Sequence, residues 1–221
     1  MFSVIFEVRP RARDTYLELA KSLRPELEQI DGFIDNIRYR SLTRDGWLLS
    51  LSNWRDEKAV VRWRTKAHHH EVQEKGRGGV LADYHLRVGQ ITSDTAPPKG
   101  YAITEQRLDE TQTGEGTTAM LIDAKRPEDW VKATKADAVA DWLVVDRNAP
   151  GLTAWDVFDA VLSPGDIIAL LSWRDGASAQ AFARAAKLPG GSRLRSVRIV
   201  RDYGMFDRRE APQYYPDVQQ P

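Results

Sequence analysis

Apolar and polar positions along this chain follow two rhythms, one of period two and one of period 3.6, and the order in which they alternate is read twice. Residues 3–8 are a short β-branched and aromatic run that Pro10 ends, which predicts a strand. Asp14 is then placed to cap a helix in which Tyr16, Leu19, Leu23, Leu27 and Ile30 recur at three- and four-residue steps. Pro25 falls inside that pattern and predicts a kink or a restart. Residues 33–40 and 47–54 read as the strands of a hairpin around the turn Thr43-Arg44-Asp45-Gly46. Asp56 can cap a second helix with Ala59, Val60, Trp63 and Ala67 on one face. Gly76-Arg77-Gly78-Gly79 reads as a flexible connector, since it lacks the ending and the strand-to-helix setting of a phosphate loop, and residues 84–91 read as a last strand.

The second half repeats this order: a strand at 118–123, a helix from about 127 to 139, strands at 153–161 and 167–173, a helix at 177–186 and a strand at 194–202. The repeat is also legible letter by letter. GFIDNIRYRSLTRDGWLLSLSNWRDEKAVVRWR, residues 32–64, aligns without a gap on GLTAWDVFDAVLSPGDIIALLSWRDGASAQAFA, residues 151–183, so that Gly32 meets Gly151, Gly46 meets Gly165 and Trp54-Arg55-Asp56 meets Trp173-Arg174-Asp175. Each half is a β-α-β-β-α-β unit, the ferredoxin-like arrangement with both helices on one face of an antiparallel sheet. The fold class expected is α+β, with one such unit over residues 1–93, a linker over 94–116, a second, degenerate unit over 117–206 and an aromatic, proline-rich tail over 207–221. Strands such as Trp47-Leu48-Leu49 and Val197-Arg198-Ile199-Val200 are apolar on more than one face, so the two sheets are expected to pack together. Tyr101 and Ile103 in the linker are expected to pair along an edge, and the tail to dock on the other half of the chain or on a partner subunit.

Composition narrows the function classes. The 221 residues carry 32 basic and 32 acidic side chains, so no overall field draws the chain to nucleic acid or to an anionic membrane. There is no cysteine, which excludes disulfides, thiolate nucleophiles and thiolate-held clusters. No apolar run approaches the ~20 residues of a membrane span, and the first residues do not form a secretory leader, so a cytoplasmic protein is expected. The run Arg62-Trp63-Arg64 reads as a solvated helix face with Trp63 on its apolar side, not as a nucleic-acid patch.

Residues 53–91, NWRDEKAVVRWRTKAHHHEVQEKGRGGVLADYHLRVGQI, resemble the antibiotic biosynthesis monooxygenase family. The resemblance rests on Trp54 at a strand end, Asp56 at a helix start, Trp63 within the helix, His69 a few residues on, Gln73 followed by Gly76 and Arg77, and Tyr84 with Arg87 and Val88 in the final strand. It implies a dimeric α+β barrel, which in a tandem chain forms within one molecule; a monomer and a homodimer of such barrels both stay open. Family members include cofactor-free oxygenases of aromatic polyketides or quinols, haem-degrading enzymes and proteins without an assigned activity, so fold alone does not assign chemistry. The resemblance implies a cofactor-independent monooxygenase of a small aromatic or quinol substrate. The alternative is a non-catalytic small-ligand-binding or stress-associated barrel, and the third reading is a haem-binding or haem-degrading relative. The haem branch asks for an Asn on the first strand, where this chain has Glu7 and Val8, and for a His ligand where it has Gln73. Neither haem nor any other cofactor or metal is therefore expected.

All four histidines, His68, His69, His70 and His85, lie in the first half. Three in a row are poor metal spacing on a helix, because successive side chains point about 100° apart. An imidazole facing a pocket is suited to act as general base on a phenol or hydroquinone. An unbroken helix counted from Trp63 turns His70 inward, whereas the family pattern favours His69 after a helix break, and both are carried as catalytic candidates with Asn53. Arg38, Tyr39, Trp47, Trp63, Tyr84 and His85 are the candidates for binding substrate, with Arg38 or Asn53 stabilising a developing oxyanion. Trp54 recurs as Trp173 in the half without histidines and is read as core.

Overall fold

The computed structural model describes residues 1–130 and 135–219. The first half runs β1 (Phe2–Pro10), α1 (Arg13–Glu28), β2 (Phe33–Ser41), β3 (Leu48–Trp54), α2 (Glu57–Arg64), α3 (Ala67–Lys75) and β4 (Leu81–Asp94). The second runs β5 (Thr118–Lys125), a short 3-10 turn (Glu128–Trp130), α4 (Ala136–Trp142), β6 (Leu152–Ala160), β7 (Asp166–Trp173), α5 (Gly176–Ala185) and β8 (Arg193–Gly204). The helix expected from about 127 to 139 lies partly outside the described residues.

The strands are all antiparallel and close into one barrel in the order β1-β3-β2-β6-β7-β5-β8-β4. Each half contributes four neighbours in the same order, β4-β1-β3-β2 and β8-β5-β7-β6. The sheets expected to stack are thus also joined at their edges. One seam is long, β4 against β8 from His85–Gly204 to Asp94–Arg195; the other is short, β2 against β6 over Tyr39–Ala160 to Ser41–Phe158. Closure removes the free edges that an open sheet of this length would expose.

The period of two divides the side chains cleanly. Ile5, Leu49, Leu51, Leu121, Phe158 and Ile168 point into the barrel and form its core with Tyr39. Phe2, Trp54, Val88 and Leu27 in the first half, and Trp173, Val139 and Leu143 in the second, fill the space between sheet and helices. Tyr101 and Ile103 do not pair along an edge as expected; they pack against the barrel core, and Gln90 holds their segment by accepting from Gln106 N and Arg107 N at 2.8 Å each.

Local rules recur at matching places. Asp56 caps α2 by accepting from Ala59 N, and Asp175 caps α5 by accepting from Ser178 N, both at 2.8 Å. Gly32 and Gly151 adopt φ of +91° and +87°, and a Cβ at either would lie within 2.8 Å of Ala59 or Ser178, which explains why the repeat keeps glycine there. Two helix expectations differ. Asp14 sits in the first turn of α1 and not at its cap, which is Ala12, and it faces the positive end of the helix dipole instead. Pro25 is accommodated within one continuous helix. Among the described residues no helix is long and apolar enough to cross a membrane.

Candidate active site

Between the first-half sheet and its helices lies a cavity of about 220 Å³. Its floor is the outward face of the sheet: Val4 and Phe6 from β1, Leu86 and Val88 from β4, and the polar pair Ser50 and Ser52 from β3 beside Arg38 from β2. In the second half the matching space is filled by Val139, Ala140, Leu143 and Phe182, the last packed on Trp173 at 5.3 Å between ring centroids.

The roof carries Trp63 and His69. The chain breaks at Thr65 and Lys66, ending α2 and restarting as α3, and that break resets the helical phase so that His69 and not His70 faces the cavity. His69 stacks on Trp63 with centroids 4.3 Å apart and planes 17° apart, and its Nδ1 lies 3.1 Å from the Trp63 carbonyl. A carbonyl can only accept, so Nδ1 carries the proton and Nε2 keeps the lone pair. Burial, reinforced by the neighbouring His68 and His70, pulls the His69 pKa down to about 4, against a weaker upward pull from the Trp63 carbonyl. The imidazole is therefore neutral near pH 7 and a hydrogen-bond acceptor at Nε2.

His70 turns to the C-terminal tail. Tyr215 donates to Gln73 Oε1 at 2.8 Å and so receives a hydrogen bond from His70 Nδ1 at 2.9 Å, with the two rings stacked at 5.3 Å. Gln213 donates to Arg64 O and Gln73 Oε1. The tail thus docks on the first half of its own chain and closes one side of the cavity with Arg208, Gln213 and Tyr215. The stretch read as a flexible connector is a helical turn (Gly76–Val80) that extends α3, and its Arg77 is buried, donating to Tyr84 Oη, Met205 O and Pro216 O at 3.0 Å each. Tyr215→Ala removes two side-chain hydrogen bonds worth about 1 kcal/mol each. Trypsin is then expected to cut at Arg208 and Arg209 about tenfold faster or more, and an unchanged cleavage rate would show that the tail is held by other contacts.

Arg38, Arg64, Arg77, Arg201 and Arg208 all line the cavity, and none of the five meets a carboxylate among the described residues. Glu57 lines it too but is neutralised by Arg107 at 2.6 Å. The Nε atoms of Arg38, Arg64 and Arg77 are buried without a partner among the described residues. Unit charges about 6 Å apart repel by roughly 3 kcal/mol at an effective dielectric near 20. A concentration of cations in a partly apolar cavity therefore favours an anion among them.

Of the sequence-derived candidates the cavity gathers His69, Arg38, Trp63 and Tyr84, and it leaves out five. Asn53 lies on the inward face of β3, one residue out of phase with Ser52, where its Oδ1 accepts from Ser3 and Arg195 at 2.7 and 3.0 Å and its Nδ2 donates to Asp35 at 2.7 Å. Tyr39 is inward for the same reason and sits in the barrel core, where burial raises its pKa. Trp47 lies at the β2–β3 turn under the Arg44 guanidinium, 4.6 Å from its ring. His85 alternates with Tyr84 and joins a polar cluster at the barrel mouth, bonding Asp202 at 2.6 Å. In that cluster Glu7 binds both Arg87 and Arg44, and these two cations hold its carboxyl below the usual range although burial alone would push it up. His70, as above, serves the tail. Reasoning on the sequence missed Tyr16, Ser50, Ser52, Arg64, Arg201 and Arg208. The signal for the serines was present: Trp54, read as core, shares their strand face, so two small polar residues stand where apolar ones would ordinarily pack under helices.

Gln73, which occupies the ligand position of haem-degrading relatives, already accepts from Tyr215 and Gln213, so the residues of that haem pattern do not fit. Among the described residues no group of three or more His, Asp or Glu could hold a metal ion.

Comparison with known proteins places these features. The model of the antibiotic biosynthesis monooxygenase family matches residues 1–75, the segment from β1 to the end of α3. A protein of Pyricularia oryzae named jasmonate monooxygenase ABM is 50% identical over 223 residues, covering 98% of this chain and 99% of its own. Among solved structures, an aldoxime dehydratase aligns over 90% of this chain and 80% of its own with a TM-score of 0.53 and 12% identity. The same enzyme class in complex with butyraldoxime aligns equally, with a TM-score of 0.53. At that identity the likeness concerns the fold alone.

Proposed function

The chain belongs to the antibiotic biosynthesis monooxygenase family, and from that premise we propose that it is a monooxygenase of a small, largely apolar carboxylic acid of the jasmonate kind. The observation that carries the substrate class is the set of five cavity arginines without a carboxylate partner, set among Val4, Phe6, Leu86 and Val88. A charge-assisted hydrogen bond to a carboxylate stabilises by about 1.5–3 kcal/mol, and the apolar walls bury the rest of such a molecule. The name of the relative from Pyricularia oryzae agrees with an acid of this kind.

Monooxygenation balances as RH + O2 + 2 e− + 2 H+ → ROH + H2O, with the electron pair drawn from a reductant of the nicotinamide class supplied with the acid. His69 Nε2, neutral and unprotonated, accepts the proton or hydrogen bond of the reacting group, and the closed tail limits water.

The second reading is a quinol substrate, favoured by the flat Trp63–His69 wall. A quinol carries its own electrons and needs no reductant. Oxygen uptake with jasmonic acid and with a panel of hydroquinones, each with and without NADPH, separates the readings. Acid-dependent uptake with a product heavier by one oxygen supports the first, and uptake with hydroquinones alone replaces it by the second. No uptake with either, together with saturable binding of the acid, replaces both by a ligand-binding role.

A further inference from the structure

We propose that the carboxylate of the ligand is seated at the β2–β3 side of the cavity floor, on Arg38, Tyr16, Ser50 and Ser52. The inference rests on reading the cavity as an acid-binding site and says where in it the acid is held.

Strand register brings these groups together. Arg38 on β2 lies directly opposite Ser50 on β3, and Asn36 lies opposite Ser52, all on the face that α1 covers; Tyr16 reaches the same place from α1. The two serine hydroxyls of the seat already accept hydrogen bonds from the protein, Ser50 Oγ from Asn36 Nδ2 at 3.0 Å and Ser52 Oγ from Trp54 Nε1 at 2.9 Å, and the Tyr16 hydroxyl lies beside the Arg38 guanidinium. A hydroxyl has one proton to give, and none of these three finds an acceptor among the described residues. Among the described residues Arg38 adds a buried Nε without a partner and makes no ion pair. The seat is therefore all donors, in a place where Tyr16 and Ser52 are almost fully buried.

Unmet buried donors are uncommon, and a cation without a counter-charge is costlier still. A carboxylate supplies about four lone-pair sites and one negative charge, which is what three hydroxyl protons and a guanidinium lack. The other cavity arginines are less free or differently placed. Arg77 and Arg208 donate to Tyr84 Oη and to the carbonyls of Met205, Gln213 and Pro216, which secures the tail. Arg64 and Arg201 lie near Tyr203 at the tail side, where they attract an anion on its way in. From the seat the floor continues over Phe6 and Val4 on β1 to Leu86 and Val88 on β4. Two strand spacings make this about 10 Å of apolar surface. The ligand expected is an acid with its carboxylate at one end and an apolar body of about that length.

The test is binding, followed by tryptophan fluorescence, with jasmonic acid and its methyl ester as probes. Arg38→Gln is expected to weaken the acid by about 10- to 100-fold while leaving the ester within about threefold, as loss of a charge-assisted hydrogen bond predicts. Ser50→Ala is expected to weaken the acid by about three- to tenfold, and Arg38→Lys, which keeps the charge but loses the planar fork, to fall between wild type and Arg38→Gln. Equal losses for acid and ester in Arg38→Gln, or an acid-selective loss in Arg201→Gln instead, would overturn the seat. So would the failure of wild type to bind any of a panel of small apolar acids. Because the readout needs no turnover, Arg38-dependent binding without oxygen uptake leaves the seat standing and removes only the monooxygenase reading.

Discussion

His69→Phe is expected to lower turnover by about two to four orders of magnitude, the range for losing a positioned proton acceptor, while leaving the protein folded. Phenylalanine keeps the aromatic plane that stacks on Trp63 and removes both nitrogens. The pH dependence distinguishes this role from that of an ordinary histidine. With a pKa of about 4, His69 stays unprotonated through the neutral range, so kcat/KM is expected to hold its plateau down to about pH 5 and fall only below that. An acid limb near 6.5 would assign the reaction to another group. The same shift bears on stability. A folded pKa below the unfolded value means that the unfolded chain binds the proton first, so the contribution of neutral His69 is present above about pH 6.5 and is lost as pH falls toward 4. The loss is on the order of 3 kcal/mol for a shift of this size. Denaturant titrations across that window are expected to show a shallower pH slope in His69→Phe than in wild type. Parallel slopes would mean that His69 is not the half-buried neutral group that its low pKa describes.

How far the sequence carried this reading follows from the kind of information each feature needs. The strands and the hairpins were legible because period-two runs and a gap-free internal match are local, and the Asp56 and Asp175 caps because one side chain and one backbone N–H suffice. The phase of each strand was not. Asn53 and Ser52 are neighbours on β3, and only burial decides which faces helices and which faces the barrel; choosing Asn53 placed a candidate on the wrong side of the sheet. Likewise His69 and His70 exchange roles through a two-residue interruption of the helix at Thr65 and Lys66. The arginines were hidden for a third reason. Arg201 comes from β8, and Arg208 from a tail more than a hundred residues from His69, so their convergence depends on the β4–β8 seam. That seam also accounts for the unequal halves. The tail that follows β8 leaves beside the start of β4 and docks on the first-half helices, so the half with the cavity is the half that the tail closes.

The two fully buried tryptophans at equivalent positions are expected to respond differently to the same substitution. Trp54→Ala and Trp173→Ala should each cost about 3–5 kcal/mol, the ordinary penalty for emptying a large core site, and at that scale either variant loses much of the stability of a protein this size. Replacement by phenylalanine separates them. Trp54 Nε1 donates to Ser52 Oγ at 2.9 Å, whereas Trp173 Nε1 is buried without a partner among the described residues, because Leu171 stands where the first half has Ser52. Trp54→Phe therefore loses a hydrogen bond as well as volume and leaves Ser52 to find a new donor. Trp173→Phe loses the volume and removes an unmet donor, whose burial costs about 1–3 kcal/mol. Trp54→Phe is expected to be the more destabilising by roughly 1–3 kcal/mol in denaturant unfolding, with Trp173→Phe near neutral. Equal losses would mean that the unmet indole N–H of Trp173 is bonded by water in solution. The comparison also reaches the cavity: Ser52 freed from Trp54 can turn its proton elsewhere, so Trp54→Phe is expected to weaken acid binding where Trp173→Phe leaves it unchanged.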